Sequence, residues 1–269
     1  MPHKTIQTFT EYTMDKLFVP LVIVSQIFAI AILVLLGIWT GVTLGGFAWD
    51  GSMKHFNFHP LLMVLGMVIL NGDGILVFRL FPMFSKYTSK LIHLILQGIV
   101  VIMGGIALKA VFALVFAYQN ANNWDNVHTV HSWVGFTTYL MFGLQWICGF
   151  LIFFFPKLSE DYRGAYMPLH RYFGVALFAL AIVSAISGIQ EEIMFHTQVP
   201  KGRKYNDRQL IGDIMGLVIV AFALIIGYLV TNKEYQRKEK SLENDDEKQP
   251  LAGTEMKQTS SGSIQAADP

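Results

Sequence analysis

The sequence predicts an all-α integral membrane protein with six transmembrane helices and both termini in the cytosol. Three observations carry this. Of 269 residues, 53% are hydrophobic and only 14% charged, whereas a soluble globular domain has about 25% charged residues. Lipid is therefore the expected solvent for much of the chain. Six apolar stretches are each long enough to cross ~30 Å of hydrocarbon, which takes about 20 helical residues. Lys and Arg gather in alternate connections, as the positive-inside rule requires. The net charge of +1 gives no electrostatic footprint for nucleic acid.

The first span runs from Leu17 to Trp39 and has no ionisable residue. Its length and the lack of a cleavage-like end favour a true span over a signal peptide. The second runs from about Phe58 to Leu80, the third from about Leu91 to Ala117, and the fourth from about Val130 to Phe155. The fifth covers about Met167 to Ile189 and the sixth about Leu210 to Val230. Gly104-Gly105 in the third reads as a site of close helix packing. Residues 1–16 form a cytosolic N-terminal segment, 17–231 a transmembrane domain, and 232–269 a polar cytosolic tail too poor in apolar residues to fold.

One set of connections holds Lys4, Lys16, Arg79, Lys86, Lys90, Lys157, Arg163 and Lys233, with Arg237, Lys238 and Lys240 after it. The loop between spans three and four has no Lys or Arg. This orients both termini to the cytosol. Lys201, Arg203, Lys204 and Arg208 run against the rule.

Ionisable residues inside spans cost several kcal/mol and mark functional sites by default. Four histidines stand near span starts: His59 in span two, His93 in three, His131 in four and His170 in five. Spans two and four start from the non-cytosolic side, and three and five from the cytosolic side. The histidines thus form two pairs, His59 with His131 and His93 with His170, one near each surface. Two axial nitrogens on opposite sides of a flat ring are what a bis-histidine haem needs. Two ligands are too few for an isolated zinc site. The expected architecture is a four-helix haem-binding core from spans two to five, holding two haem b groups. Cys148 is the lone cysteine and no C-x-x-C-H motif occurs, so both haems are non-covalent. Gly135, Gly174 and Gly66 share helix faces with His131, His170 and His59 and offer room for a ring edge. Pairs one or two turns inside the core lie roughly 10–20 Å apart. Taken singly, an intramembrane histidine is as readily a helix–helix hydrogen-bond partner. Four split two and two by side make the ligand reading the stronger one.

These residues resemble the cytochrome b561 family of ascorbate-dependent transmembrane reductases. The resemblance rests on Ala48-Trp49-Asp50-Gly51-Ser52, Phe56-Asn57-Phe58-His59-Pro60, Val77-Phe78-Arg79, His131-Ser132-Trp133-Val134-Gly135 and Met167-Pro168-Leu169-His170. It implies that cytosolic ascorbate donates single electrons near His93 and His170, beside Lys86, Lys90, Arg163 and Arg79. It also implies a non-cytosolic acceptor, monodehydroascorbate or a ferric complex. His128, Asn126 and His55 are the candidates to contact that acceptor. The plainer reading of these cations is positive-inside anchoring, or snorkelling for Arg79.

Residues 186–192 look like the lysosomal and late-endosomal branch. Glu247 to Ala252 approximates an acidic sorting signal without its second Leu. The membrane is thus endolysosomal, secretory-vesicle or plasma, with the first favoured, and resemblance implies a homodimer. The alternative is a proton-coupled secondary transporter using the same histidines and Asp73. It lacks an evident inverted repeat or broken helix pair. Lys109 within span three is expected to snorkel, and Asp73 to hydrogen-bond within the bundle.

Overall fold

A computed structural model describes residues 16–123, 125–196 and 206–237. Among them, six helices are long and apolar enough to cross a membrane: α1 Phe18–Thr43, α2 Met53–Leu80, α3 Lys86–Ala121, α4 Val130–Phe153, α5 Glu160–Phe195 and α6 Asp207–Thr231. The predicted all-α fold and its six spans are observed. The segment before residue 16, the Lys201, Arg203 and Lys204 cluster, the sorting-like motif and the tail from 238 onward lie outside the described residues.

The starts follow from local chemistry. Ser85, Thr129 and Asn206 cap α3, α4 and α6, each accepting a hydrogen bond from the backbone N–H three residues on. Such caps satisfy N–H groups that have no intrahelical partner. In α2 the helix turns at Asn57 and restarts at Phe58. Pro60 stands in that restarted first turn, where a missing N–H removes no helical bond. Wider π turns occupy Val64–Leu70 in α2 and Phe112–Phe116 in α3.

Helices α3 and α5 outrun their predicted spans, at 36 residues each, about 54 Å of helix. Both project beyond a ~30 Å hydrocarbon core. This places Lys109 about 35 Å along α3, near the far interface. There its Nζ lies 5.9 Å from the centre of the Trp49 ring.

Helices α2 to α5 pack as the expected four-helix core, each against its neighbour, with α5 closing back on α2. Helices α1 and α6 pair with each other, and α6 also packs on α2 and α5. One apolar cluster, with Trp39, Leu36, Leu76, Met215, Ile219 and Phe222 at its heart, joins α1, α2, α5 and α6. A second, made of Met67, Val100, Phe142, Leu177 and Ala181, fills the middle of the four-helix core. The α3–α4 seam is built on small residues. The Tyr139 ring seats against Gly104 and Gly105, and Trp146 against Gly98. Their polar ends are satisfied by the Val101 carbonyl at 2.7 Å and the Leu94 carbonyl at 3.1 Å. Outward-facing side chains such as Ile30, Ile102, Leu217 and Leu224 are exposed, as a lipid-facing surface requires.

Two arginines tie helix ends. Arg208 donates to the Thr43 carbonyl at 2.8 Å, and its own carbonyl accepts from Trp39 Nε1 at 3.0 Å. One of the cations that runs against the positive-inside rule therefore closes the C-terminus of α1. Arg79 donates to the carbonyls of Val230 and Asn232 at the end of α6. The boundary expected at 232 is also passed. Lys233–Tyr235 form a turn whose buried Tyr235 ring sits 5.0 Å from that of Phe18.

Candidate functional site

The four intramembrane histidines meet in the two predicted pairs. The His59 and His131 ring centres are 6.0 Å apart with planes at 85°, and those of His93 and His170 are 6.2 Å apart at 78°. A metal–imidazole nitrogen bond is ~2 Å and the ring centre lies about 1 Å farther, so imidazoles on opposite sides of one ion have centres about 6 Å apart. Both spacings match that arrangement. Among the described residues no group of three or more His, Cys, Asp or Glu is placed to hold an ion. A haem iron, whose ring supplies its equatorial donors, needs only the two axial nitrogens that each pair offers.

The second ring nitrogens of His93 and His131 support this, while Nδ1 of His59 and of His170 has no hydrogen-bond partner among the described residues. His93 Nδ1 lies 2.8 Å from the Gly74 carbonyl and His131 Nδ1 lies 2.9 Å from the Ser184 carbonyl. Donation there fixes the tautomer and leaves Nε2 with its lone pair inward. His170 is held by ring contacts with Phe153 and Tyr166, and His59 stacks on Phe56. The septum of Met67, Val100, Phe142 and Leu177 separates the pairs.

The tightest approaches to the imidazoles are made by other glycines than the three that share faces with the histidines. A Cβ on Gly174 would meet Gln145, one on Gly66 would meet Met103, and one on Gly135 would meet Ser184 Oγ before His131. The glycines against the imidazoles are Gly188, where a Cβ would fall 2.6 Å from His131 Cε1, and Gly149, 3.3 Å from His170 Cε1. They lie equally far along the chain from His170 and His131 respectively, an interval the sequence displays but same-face reasoning passed over. These contacts also measure the span between sites. His131 to Gly149 and His170 to Gly188 are each about 27 Å of helix.

The predicted donor-side cations divide. Lys86 and Lys90 lie in the first turns of α3, two turns and one turn before His93, and Arg163 lies in the first turn of α5, two turns before His170. Arg79 does not join them, because its guanidinium serves the α6 carbonyls.

At the opposite face, the α3–α4 connection carries left-handed backbone at Asn123 and Val127. His128 is exposed there, with Nδ1 2.8 Å from the Asp125 carbonyl. Asn126 turns away to donate to Asn120 Oδ1 at 2.8 Å. His55, expected at the acceptor surface, is instead 6% exposed. Thr129, the α4 cap, donates to Glu191 at 2.9 Å and brings a carboxylate close to His131. Nothing in the sequence alone pointed to that contact. In the α1–α2 connection, hydrogen bonds from Ser52 hold the exposed Asp50 carboxyl below its usual range. Asp73 is occupied by a hydrogen bond from Gln26 at 2.9 Å.

Comparison with known proteins finds a family pattern and several relatives that cover most of the chain. The pattern of the family described as eukaryotic cytochrome b561 matches residues 58–196. A transmembrane ascorbate-dependent reductase of Ovis aries is 33% identical over 216 residues, covering 79% of this chain and 82% of the relative. A lysosomal membrane ascorbate-dependent ferrireductase of Homo sapiens is 35% identical over 218 residues, 79% of this chain and 87% of its own. A probable ascorbate-specific transmembrane electron transporter of Oryza sativa subsp. japonica is 32% identical over 209 residues, 77% and 86% respectively.

Proposed function

The chain belongs to the eukaryotic cytochrome b561 family, and we propose that it passes single electrons from cytosolic ascorbate to a non-cytosolic acceptor, monodehydroascorbate or a ferric complex. The observation that carries this is the two opposed imidazole pairs, each with ring centres about 6 Å apart. Two non-covalent b-type haems, held by His59 with His131 and by His93 with His170, would supply the one-electron carriers.

The chain's own residues do the rest. Backbone carbonyls of Gly74 and Ser184 orient two of the imidazoles. The apolar septum keeps water out of the middle of the path. Lys86, Lys90 and Arg163 put positive charge at the cytosolic rim, where an anionic donor must approach. His128 is the exposed group best suited to meet the acceptor. Ascorbate as donor is supported by the relatives, each named for it. An endolysosomal membrane is supported by the lysosomal relative and residues 186–192.

Purified protein, never exposed to dithionite, is expected to gain a reduced b-type spectrum on titration with ascorbate. Two transitions should appear, one lost in His93→Ala and the other in His59→Ala. Folded protein without haem absorbance would overturn the proposal and revive a proton-coupled transporter. For the acceptor, His128→Ala should lower ferric turnover while ascorbate still reduces the haems; equal turnover would remove His128 from the acceptor site.

A further inference from the structure

His55 is a buried polar side chain, 6% exposed, that neither histidine pair uses, and neither of its two ring nitrogens has a hydrogen-bond partner among the described residues. A buried polar side chain left in that state costs about 1–3 kcal/mol, and such groups are normally satisfied. Its surroundings are aromatic. The Trp49 ring centre lies 3.9 Å away, and Phe58 meets it edge-on at 6.3 Å. On Trp49 sits a cation, with Lys109 Nζ 5.9 Å from the ring centre. His55 is one helical turn before His59 and so lies on the same side of α2. The site thus offers an N–H donor in a low-dielectric pocket with a positive charge behind it. That combination recognises a carboxylate or similar anionic oxygen.

A ring gripped by His59 and His131 brings such a group with it, since haem b carries two propionates on one edge. We propose that His55, backed by Lys109 across the Trp49 ring, binds a propionate of the haem held between His59 and His131. This rests on the two-haem reading above. It explains a deeply buried donor that a dissolved acceptor would not easily reach.

The test uses the full chain in nanodiscs, in the His170→Ala background, so that only the His59–His131 haem is followed. Haem loss to excess apomyoglobin is measured with native haem and with its dimethyl ester, which has no carboxylate. Hydrogen bonds to charged groups are strong enough that native haem should leave about 10–100-fold more slowly than the ester. His55→Phe should speed native haem loss to near the ester's rate and leave the ester's rate unchanged. Lys109→Met should have a smaller effect in the same direction, and His55→Gln, which keeps a donor, should largely restore retention. The native-versus-ester comparison in unaltered His55 needs no pocket variant, so a misfolded His55→Phe leaves the test intact. Equal loss of native and esterified haem would overturn the assignment. So would a His55→Phe that raises only the KM for an external acceptor, because the anion would then be the acceptor. Absence of any bound haem would instead strike the two-haem reading itself.

Discussion

A single hydrogen-to-methyl change sets the sharpest limit on this molecule. Gly188 faces His131 so closely that a Cβ would fall 2.6 Å from Cε1 and 2.9 Å from Nδ1. That ring is not a loose end, because Nδ1 is bound to the Ser184 carbonyl. Gly188→Ala must therefore push the imidazole off its axis. It is expected to remove one of the two proposed haems, lowering the haem-to-protein ratio by about half in the pyridine haemochrome assay. Gly149→Ala meets His170 Cε1 at 3.3 Å, a contact relieved by a shift of a few tenths of an ångström. It should keep both haems and release the His93–His170 haem a few-fold faster. Equal behaviour of the two variants would show that the imidazoles move more freely than their packing implies. Both glycines were in the sequence, yet their roles were not legible there. Which helix face meets which imidazole depends on how α4 and α5 cross, and a one-helix face rule instead favoured Gly135 and Gly174.

At the scale of elements, the ends of the outer helices are closed by side chains from their neighbours. The last carbonyls of a helix have no intrahelical donor, and positive charge there also meets the negative end of the helix dipole. Arg79 of α2 supplies this to α6, and Arg208 of α6 supplies it to α1. Arg79→Leu is expected to cost about 2–3 kcal/mol, since it leaves two carbonyls without their charged donor. Thermal unfolding in detergent should show the loss, with the KM for ascorbate unmoved. A raised KM at unchanged stability would return Arg79 to the donor site. The lengths of α3 and α5 are also an element-scale result. Hydropathy marks where a span is apolar but not where the helix stops. The polar turns at Lys86–Lys90 and Glu160–Tyr166 continue the helices outside the apolar stretch, with Ser85 capping the first of them.

For the molecule as a whole, cations gather beside one of the two histidine pairs. Lys86, Lys90 and Arg163 share the face of His93 and His170. An anionic donor steered by cations at the rim of the site is slowed by salt, because the Debye length is only about 10 Å at 0.1 M. Stopped-flow reduction by ascorbate is therefore expected to slow as ionic strength rises. The Lys86→Gln, Lys90→Gln double variant should be slower at low salt and should lose most of the slope. A neutral reductant should show neither effect. A double variant with an unchanged slope would mean that ascorbate approaches elsewhere.

Much of this was determined by the sequence alone. Six spans, the four-helix core and the division of His59, His131, His93 and His170 into two pairs all follow from apolar length and from the alternation of helix direction. Those signals are periodic and one-dimensional, so they survive without coordinates. The tertiary structure decided what depends on helix rotation and crossing: that Gly188 and Gly149 make the tightest approaches to the imidazoles, and that about 27 Å of helix separates His131 from Gly149 and His170 from Gly188. It also decided that Arg79 closes α6 and that His55 is buried. Each of these is a contact between helices far apart in the chain. No local pattern fixes such contacts, because they are set by how side chains from different helices share one limited volume.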